Sequence, residues 1–175
     1  MITKPPFTPS FSCAGLHLRQ FQPGDEEIWF DYLRLPEVMQ NTGWHIASSS
    51  ELLPLTAKTA GVAVIRFALA DESGRLAGTI GFVDWENGRA EIAYDLAPAW
   101  WGKGIATAAC AALCQWGFDQ GLTRIEACVL LENRASARVL EKCGFTWEGL
   151  LRQARHADGI ARDYRLYRLQ KRPAS

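Results

Sequence analysis

The run Trp100-Trp101-Gly102-Lys103-Gly104-Ile105-Ala106 sets two glycines around a lysine where a strand-like stretch gives way to a helix-like one. Small residues let backbone N–H groups approach an anion closely, and the following helix adds the positive end of its dipole. Phosphate binding is the chemistry this stretch suits. Two better-known phosphate signatures do not fit. A Walker A loop continues Gly-Lys with Ser or Thr, whereas Gly104 and Ile105 follow Lys103 here. A dinucleotide fingerprint needs a third glycine, where Thr107 stands, and follows the first strand of a βαβ unit. A plain strand-to-helix turn stays open on these residues alone.

Other reactive residue types do not assemble into a site. The five cysteines, Cys13, Cys110, Cys114, Cys128 and Cys143, are odd in number and lack framework spacing. Reduced thiols in a cytoplasmic protein are the expectation. Cys110 and Cys114 share a helix face, but no second Cys or His pair accompanies them, so no metal site is expected. Cys128 and Cys143 have no adjacent histidine, which argues against a covalent acyl-enzyme. His17, His45 and His156 are scattered.

The elements that must position the glycine loop follow from hydrophobic periodicity. Leu16, Leu18 and Phe21 suggest a first strand, after a loose arm over 1–14. Asp25 reads as the N-cap of a helix carrying Ile28, Trp29, Tyr32 and Leu33. Ser48 and Glu51 have capping-box spacing and predict a second short helix. Val64–Ala70 and Leu76–Val83 flank a hairpin turn, and Glu86-Asn87-Gly88-Arg89 makes another. Ala90–Leu96 alternates, with Ala90, Ile92, Tyr94 and Leu96 on one face and Glu91, Ala93 and Asp95 on the other. A helix from Ile105 to Gln120, a strand over Thr123–Leu131, a helix from Arg134 to Cys143, and strands over Phe145–Leu150 and Arg162–Leu169 complete the chain. A polar loop around His156 separates the last two strands. The expectation is a single α/β (α+β) domain over 15–170, a mixed sheet of about seven strands with helices on both faces, and a short tail at 171–175.

Composition supports one domain with a full core: 175 residues, 48% hydrophobic. Nineteen basic residues balance nineteen acidic ones, so neither nucleic acid nor an acidic membrane surface is an expected partner. The apolar runs are too short to span a bilayer, and the first twelve residues lack the apolar core of a signal peptide.

Downstream of the loop, Asn133-Arg134-Ala135-Ser136 opens the second helix, and Lys142-Cys143-Gly144-Phe145 closes it. In this arrangement residues 16–169 resemble the GNAT superfamily of N-acetyltransferases, most densely from Glu91 to Phe145. Trp100–Ala106, Asn133–Ser136 and Asp163 look most like the branch of ribosomal-protein N-terminal acetyltransferases. The resemblance implies acetyl-CoA as donor. It places Trp101, Gly102, Lys103, Gly104, Ile105 and Ala106 around the CoA diphosphate. Trp101 departs from the usual Arg or Gln. It also implies a V-shaped splay between Ala90–Leu96 and Thr123–Leu131, in which the pantetheine arm pairs with backbone near Asp95, Leu96 and Ala97. Asn133 would hydrogen-bond that arm, or serve as a helix N-cap. Ser136 would sit near its sulfur.

Acyl transfer to an amine needs a neutral amine, stabilisation of the carbonyl oxygen and a path for the leaving thiolate. By the same resemblance Glu91 is the candidate base, with a strand carboxylate paired to Arg89 or Arg66 as the alternative; Asp95 is a weaker candidate. The tyrosine that often acts as acid is replaced by Leu140, which leaves Ser136 as the nearest hydroxyl. Trp44 and Trp85 are candidates for the acceptor wall. An α-amine, with a pKa of about 7.7–8.0 against about 10.4 for lysine, is easier to present neutral by roughly 2.5 log units, about 3.4 kcal/mol. The expected acceptor is therefore the α-amine of a peptide or protein. A small amine such as an aminoglycoside or polyamine, and a non-catalytic acyl-CoA sensor, are the alternatives. A homodimer stays open.

Overall fold

The computed structural model describes residues 8–56, 64–155 and 159–172. It contains an eight-stranded sheet in the order β1-β2-β3-β4-β5-β6-β8-β7. The strands are β1 (Ser12–Cys13), β2 (Leu16–Arg19), β3 (Ile65–Ala70), β4 (Leu76–Glu86), β5 (Arg89–Leu96), β6 (Arg124–Leu130), β7 (Thr146–Arg155) and β8 (Ala161–Gln170). All neighbours are antiparallel except β5 and β6, so the sheet is mixed. The strand expected to be the first is the second. Ser12 and Cys13, read as part of a loose arm, pair with His17 and Leu16. The far end of the chain is also tied down: the Lys171 N–H and ammonium donate to the carbonyls of Thr123 and Phe118.

The helices are α1 (Asp25–Leu33), α2 (Pro36–Thr42), α3 (Leu53–Thr56), α4 (Ile105–Asp119) and α5 (Arg134–Lys142). They divide the core in two. Trp29, Tyr32, Leu33, Val38 and Leu52 bury their side chains against Ala68 and Leu76 on one face of the sheet. Ile105, Ala109, Leu113, Ala137 and Leu140 do so against Phe67, Ile80, Phe82 and Ile125 on the other. Alternation within β3 explains the division: Phe67 and Leu69 face α4, and Ala68 between them faces α1.

Two local expectations change. Asp25 is the first helical residue of α1, not its N-cap. That place belongs to Gly24 at φ 92°, and the Asp25 carboxylate instead binds Arg19 and the Gln22 N–H. The Ser48–Glu51 capping box forms, on a 3-10 turn over Ser49–Leu52 that leads into α3. Helix α2 is an addition. Its seven residues run from Pro36, whose fixed φ suits a first helical position, to Thr42, and Gly43 in the left-handed region caps them.

Candidate functional site

Strands β5 and β6 pair over only three rungs, Arg89 with Arg124, Ala90 with Ile125 and Glu91 with Glu126. β5 continues to Leu96 on its partner β4, and β6 continues to Leu130 on its partner β8. Beyond Glu91 and Glu126 the two strands are therefore held by their outer neighbours and not by each other. This is the expected splay. Close strand contact beside it depends on Gly78 in β4, where a Cβ would lie 2.5 Å from the Asp95 carbonyl oxygen.

The glycine loop stands beyond the end of β5. Gly102 and Gly104 have φ 74° and 73°, the left-handed region that side chains disfavour, and nothing lies within 4 Å of a Cβ at either. The glycines are needed for backbone conformation, and the space above them is open. Gly104 caps α4 without any side chain, and no acidic residue occupies the first turn. The first amides of α4 therefore point outward without intrahelical acceptors. These features fit a diphosphate. Trp101 does not supply the cation that Arg would. Its indole N–H donates to the Leu96 carbonyl at 2.9 Å and ties the loop to β5. Lys103 extends its ammonium over the Trp100 ring, 4.8 Å from the centroid. Buried Ile105 seats the first turn of α4 in the core, with Ala106 beside it at the helix start. Just before the loop, the Ala97 N–H is spent on the Ala77 carbonyl at 2.9 Å.

Helix α5 closes the other side. The Asn133 side-chain oxygen accepts from the Ser136 N–H at 3.0 Å, so it is the N-cap. Its amide donates to the Asn41 carbonyl at 3.1 Å, which links α5 to the end of α2. Both halves of the side chain thus have partners within the protein. The Ser136 hydroxyl lies 2.8 Å from the Tyr94 hydroxyl of β5. Leu140, in the place of the usual tyrosine, is fully buried in the core. Tyr94 was not among the expected site residues. Its only signal in the sequence is that it carries the one hydroxyl in an otherwise apolar alternation.

The α1 side of the sheet carries the carboxylates. Glu91 sits on the last paired rung, where the strands part. Burial raises its pKa above the usual carboxylate value; nearby Asp84 adds to the rise, and hydrogen bonds from Cys128 oppose it. The expected alternative partner Arg66 is engaged elsewhere. Its guanidinium bonds the Asp95 carboxylate at 3.0 Å and the Thr79 hydroxyl at 2.9 Å, and lies over the Trp29 and Trp44 rings. Asp95 also accepts from Thr79 and Tyr32. An aspartate with three partners, 9% exposed, is a structural anchor rather than a base. Trp44 lies on the α1 side of the sheet, under the Arg66 guanidinium, whereas Trp85 is 9% exposed and edge-on to Phe82 and Trp116 in the core. A cleft of about 650 Å³ opens between α2 and the ends of β6 and β8, lined in part by Met39, Asn41, His45, Leu130, Glu132 and Arg162. Its wall at Asn41 is the residue that Asn133 holds.

The acetyltransferase (GNAT) domain family matches residues 15–146. The chain belongs to the GNAT family. It is 44% identical over 111 residues to an uncharacterized N-acetyltransferase of Bacillus licheniformis, a match spanning 61% of this chain and 62% of that protein. The match thus covers less than two thirds of that relative's length. Among solved structures, the Mycobacterium smegmatis RimJ complex with CoA-disulfide is 28% identical, with TM-score 0.75, covering 91% of this chain and 85% of that one. The Vibrio cholerae spermidine N-acetyltransferase complex with CoA and spermine is 25% identical, with TM-score 0.77, covering 90% and 96%.

The loop, the splay, Glu91, Asn133 and Ser136 were legible in the sequence; Tyr94 and the Arg66–Asp95 pair were not, because their partners come from distant parts of the chain, and neither was α2, which is only seven residues long.

Proposed function

We propose that the chain is an acetyl-CoA-dependent N-acetyltransferase whose acceptor is the α-amine of a peptide or protein. The observation that carries this reading is Glu91, a desolvated carboxylate standing where β5 and β6 part. Acetyl-CoA, when bound, supplies an activated carbonyl. Gly102–Ala106 would hold its diphosphate, and the stretch of β5 beyond Glu91 that has no β6 partner its arm, although the Leu96 carbonyl and the Ala97 N–H are already taken by Trp101 and Ala77. Glu91 takes the proton from the ammonium, directly or through water, and its raised pKa makes it a better base than an exposed carboxylate. Ser136 stands by the leaving sulfur. Holding both substrates in one geometry lowers much of the remaining barrier.

The acceptor reading rests on the cleft between α2 and β8. Its polar lining mixes Glu132 with Arg162 and His45. A lining that holds both a carboxylate and a guanidinium suits an acceptor with an amine at one end and carbonyl groups behind it, as a peptide has. A polyamine presents positive charge along its length. The spermidine enzyme among the structural neighbours keeps that alternative in the test. Thiol release from acetyl-CoA is measured with a free-amine peptide, an N-blocked lysine peptide and spermidine. Faster turnover on the peptide α-amine is expected. Preference for spermidine or lysine overturns the acceptor, and CoA binding without turnover on any amine overturns the enzyme.

A further inference from the structure

We infer that Tyr94 orients the Ser136 hydroxyl toward the sulfur end of the splay, and is thereby a positioning residue for thiol departure. The proposal rests on the acetyl-transfer reading above. Tyr94 stands three residues beyond Glu91, on the part of β5 that has no β6 partner. Its hydroxyl reaches across the opening to Ser136 of α5, 2.8 Å from Oγ and 3.4 Å from the backbone oxygen. The Ser136 N–H is already given to Asn133. Backbone and hydroxyl of Ser136 are thus gripped from two elements.

Chemistry sets the direction of the bond. A phenol is a better donor and a poorer acceptor than an aliphatic alcohol. Burial raises the Tyr94 pKa well above its usual value, so the phenol keeps its proton. The neighbours Cys110 and Cys143 are also raised, and each thiol stays neutral. Tyr94 then donates and Ser136 accepts, which leaves the Ser136 proton for another acceptor. With the tyrosine place of the family filled by buried Leu140, Ser136 carries the one side-chain hydroxyl of α5. In the transfer, the N–C bond forms as the C–S bond breaks, and the bonding pair goes to sulfur. The amine proton leaves through Glu91. The Ser136 O–H stabilises the sulfur as its charge grows, and the thiolate takes its proton from water. Tyr94 transfers no proton.

The test compares the wild type, Tyr94→Phe, Ser136→Ala and the double variant. Calorimetry reads the affinity for CoA and for desulfo-CoA, which lacks only the sulfur; kinetics reads kcat and KM. Tyr94→Phe should lower kcat and the preference for CoA over desulfo-CoA by about fivefold to tenfold, the scale of one hydrogen bond. KM for the amine and the affinity for desulfo-CoA should hold. The double variant should match Ser136→Ala, and Ser136→Thr should retain most of the wild-type kcat. Equal loss of both ligands in Tyr94→Phe, or a double variant whose loss is the product of the singles, assigns Tyr94 to packing and overturns the proposal. If Tyr94→Phe does not fold, Ser136→Ala decides: an unchanged preference for CoA overturns it. A wild type that binds no CoA sinks the underlying reading, whereas normal wild-type turnover with an indifferent Tyr94→Phe sinks only this inference.

Discussion

The loop at Gly102–Ala106 offers a ligand peptide N–H groups and asks for little beyond two glycines. On the α1 face, Arg66 of β3, Thr79 of β4, Asp95 of β5 and Tyr32 of α1 meet side chain to side chain, with Trp29 and Trp44 over the guanidinium. One region is made of backbone within a single turn, the other of side chains from four elements. The first should tolerate most substitutions that leave its φ angles alone. The second should fail when any one member is removed.

Removing a member of the second is the most severe way to test this. Asp95→Ala leaves the Arg66 guanidinium buried without its carboxylate, a loss of about 3–5 kcal/mol expected from denaturant unfolding. A shift of under about 1 kcal/mol would mean that the cluster is ordinary surface chemistry. Glu91→Gln should separate activity from stability. Loss of the proposed base should lower kcat by about a hundredfold. Because burial raises the folded-state pKa of Glu91, its contribution to stability is full in acid and is lost as pH rises through that pKa. The glutamine variant should therefore melt higher than wild type near neutrality, with the gap closing toward acid. A gap that widens in acid would reverse the sign of the argument. On the backbone side, Gly104→Val forces a β-branched residue into the left-handed region, and acetyl-CoA affinity should fall about tenfold with the fold kept. Smallest is Lys103→Ala. An ammonium resting over Trp100 in solvent should change that affinity by about threefold or less, measured at moderate salt.

The same contrast explains what could be read before the structure. Gly-Lys-Gly between a strand and a helix is local information, so the loop and α4 are found where the spacing puts them. The meander β3–β4–β5 is also local, and its turns carry their own signals at Gly74 and Gly88. Arg66 and Asp95 are twenty-nine positions apart, and only the register that sets Thr79 opposite Asp95 brings them together. Trp85 misled for a related reason: besides Phe82 on its own strand, its depth is fixed by Trp116 of α4, a distant part of the chain. Helix α2 is too short for its periodicity to be recognised. The partnership of Tyr94 with Ser136 crosses forty-two positions and an opening in the sheet.

That opening has a bearing on how long the protein lasts as well as on what it does. A sheet ordinarily exposes unpaired strand edges only at its rims, and this one has two more near its middle, along Ile92–Leu96 and Ala127–Leu130. A ligand arm lying between them, as proposed, would act as a temporary ninth strand. By mass action, folded molecules are then stabilised in proportion to the logarithm of free ligand above its dissociation constant. The melting temperature becomes a gauge of donor supply, and starvation for the donor would shorten the lifetime of the chain before any change in its synthesis.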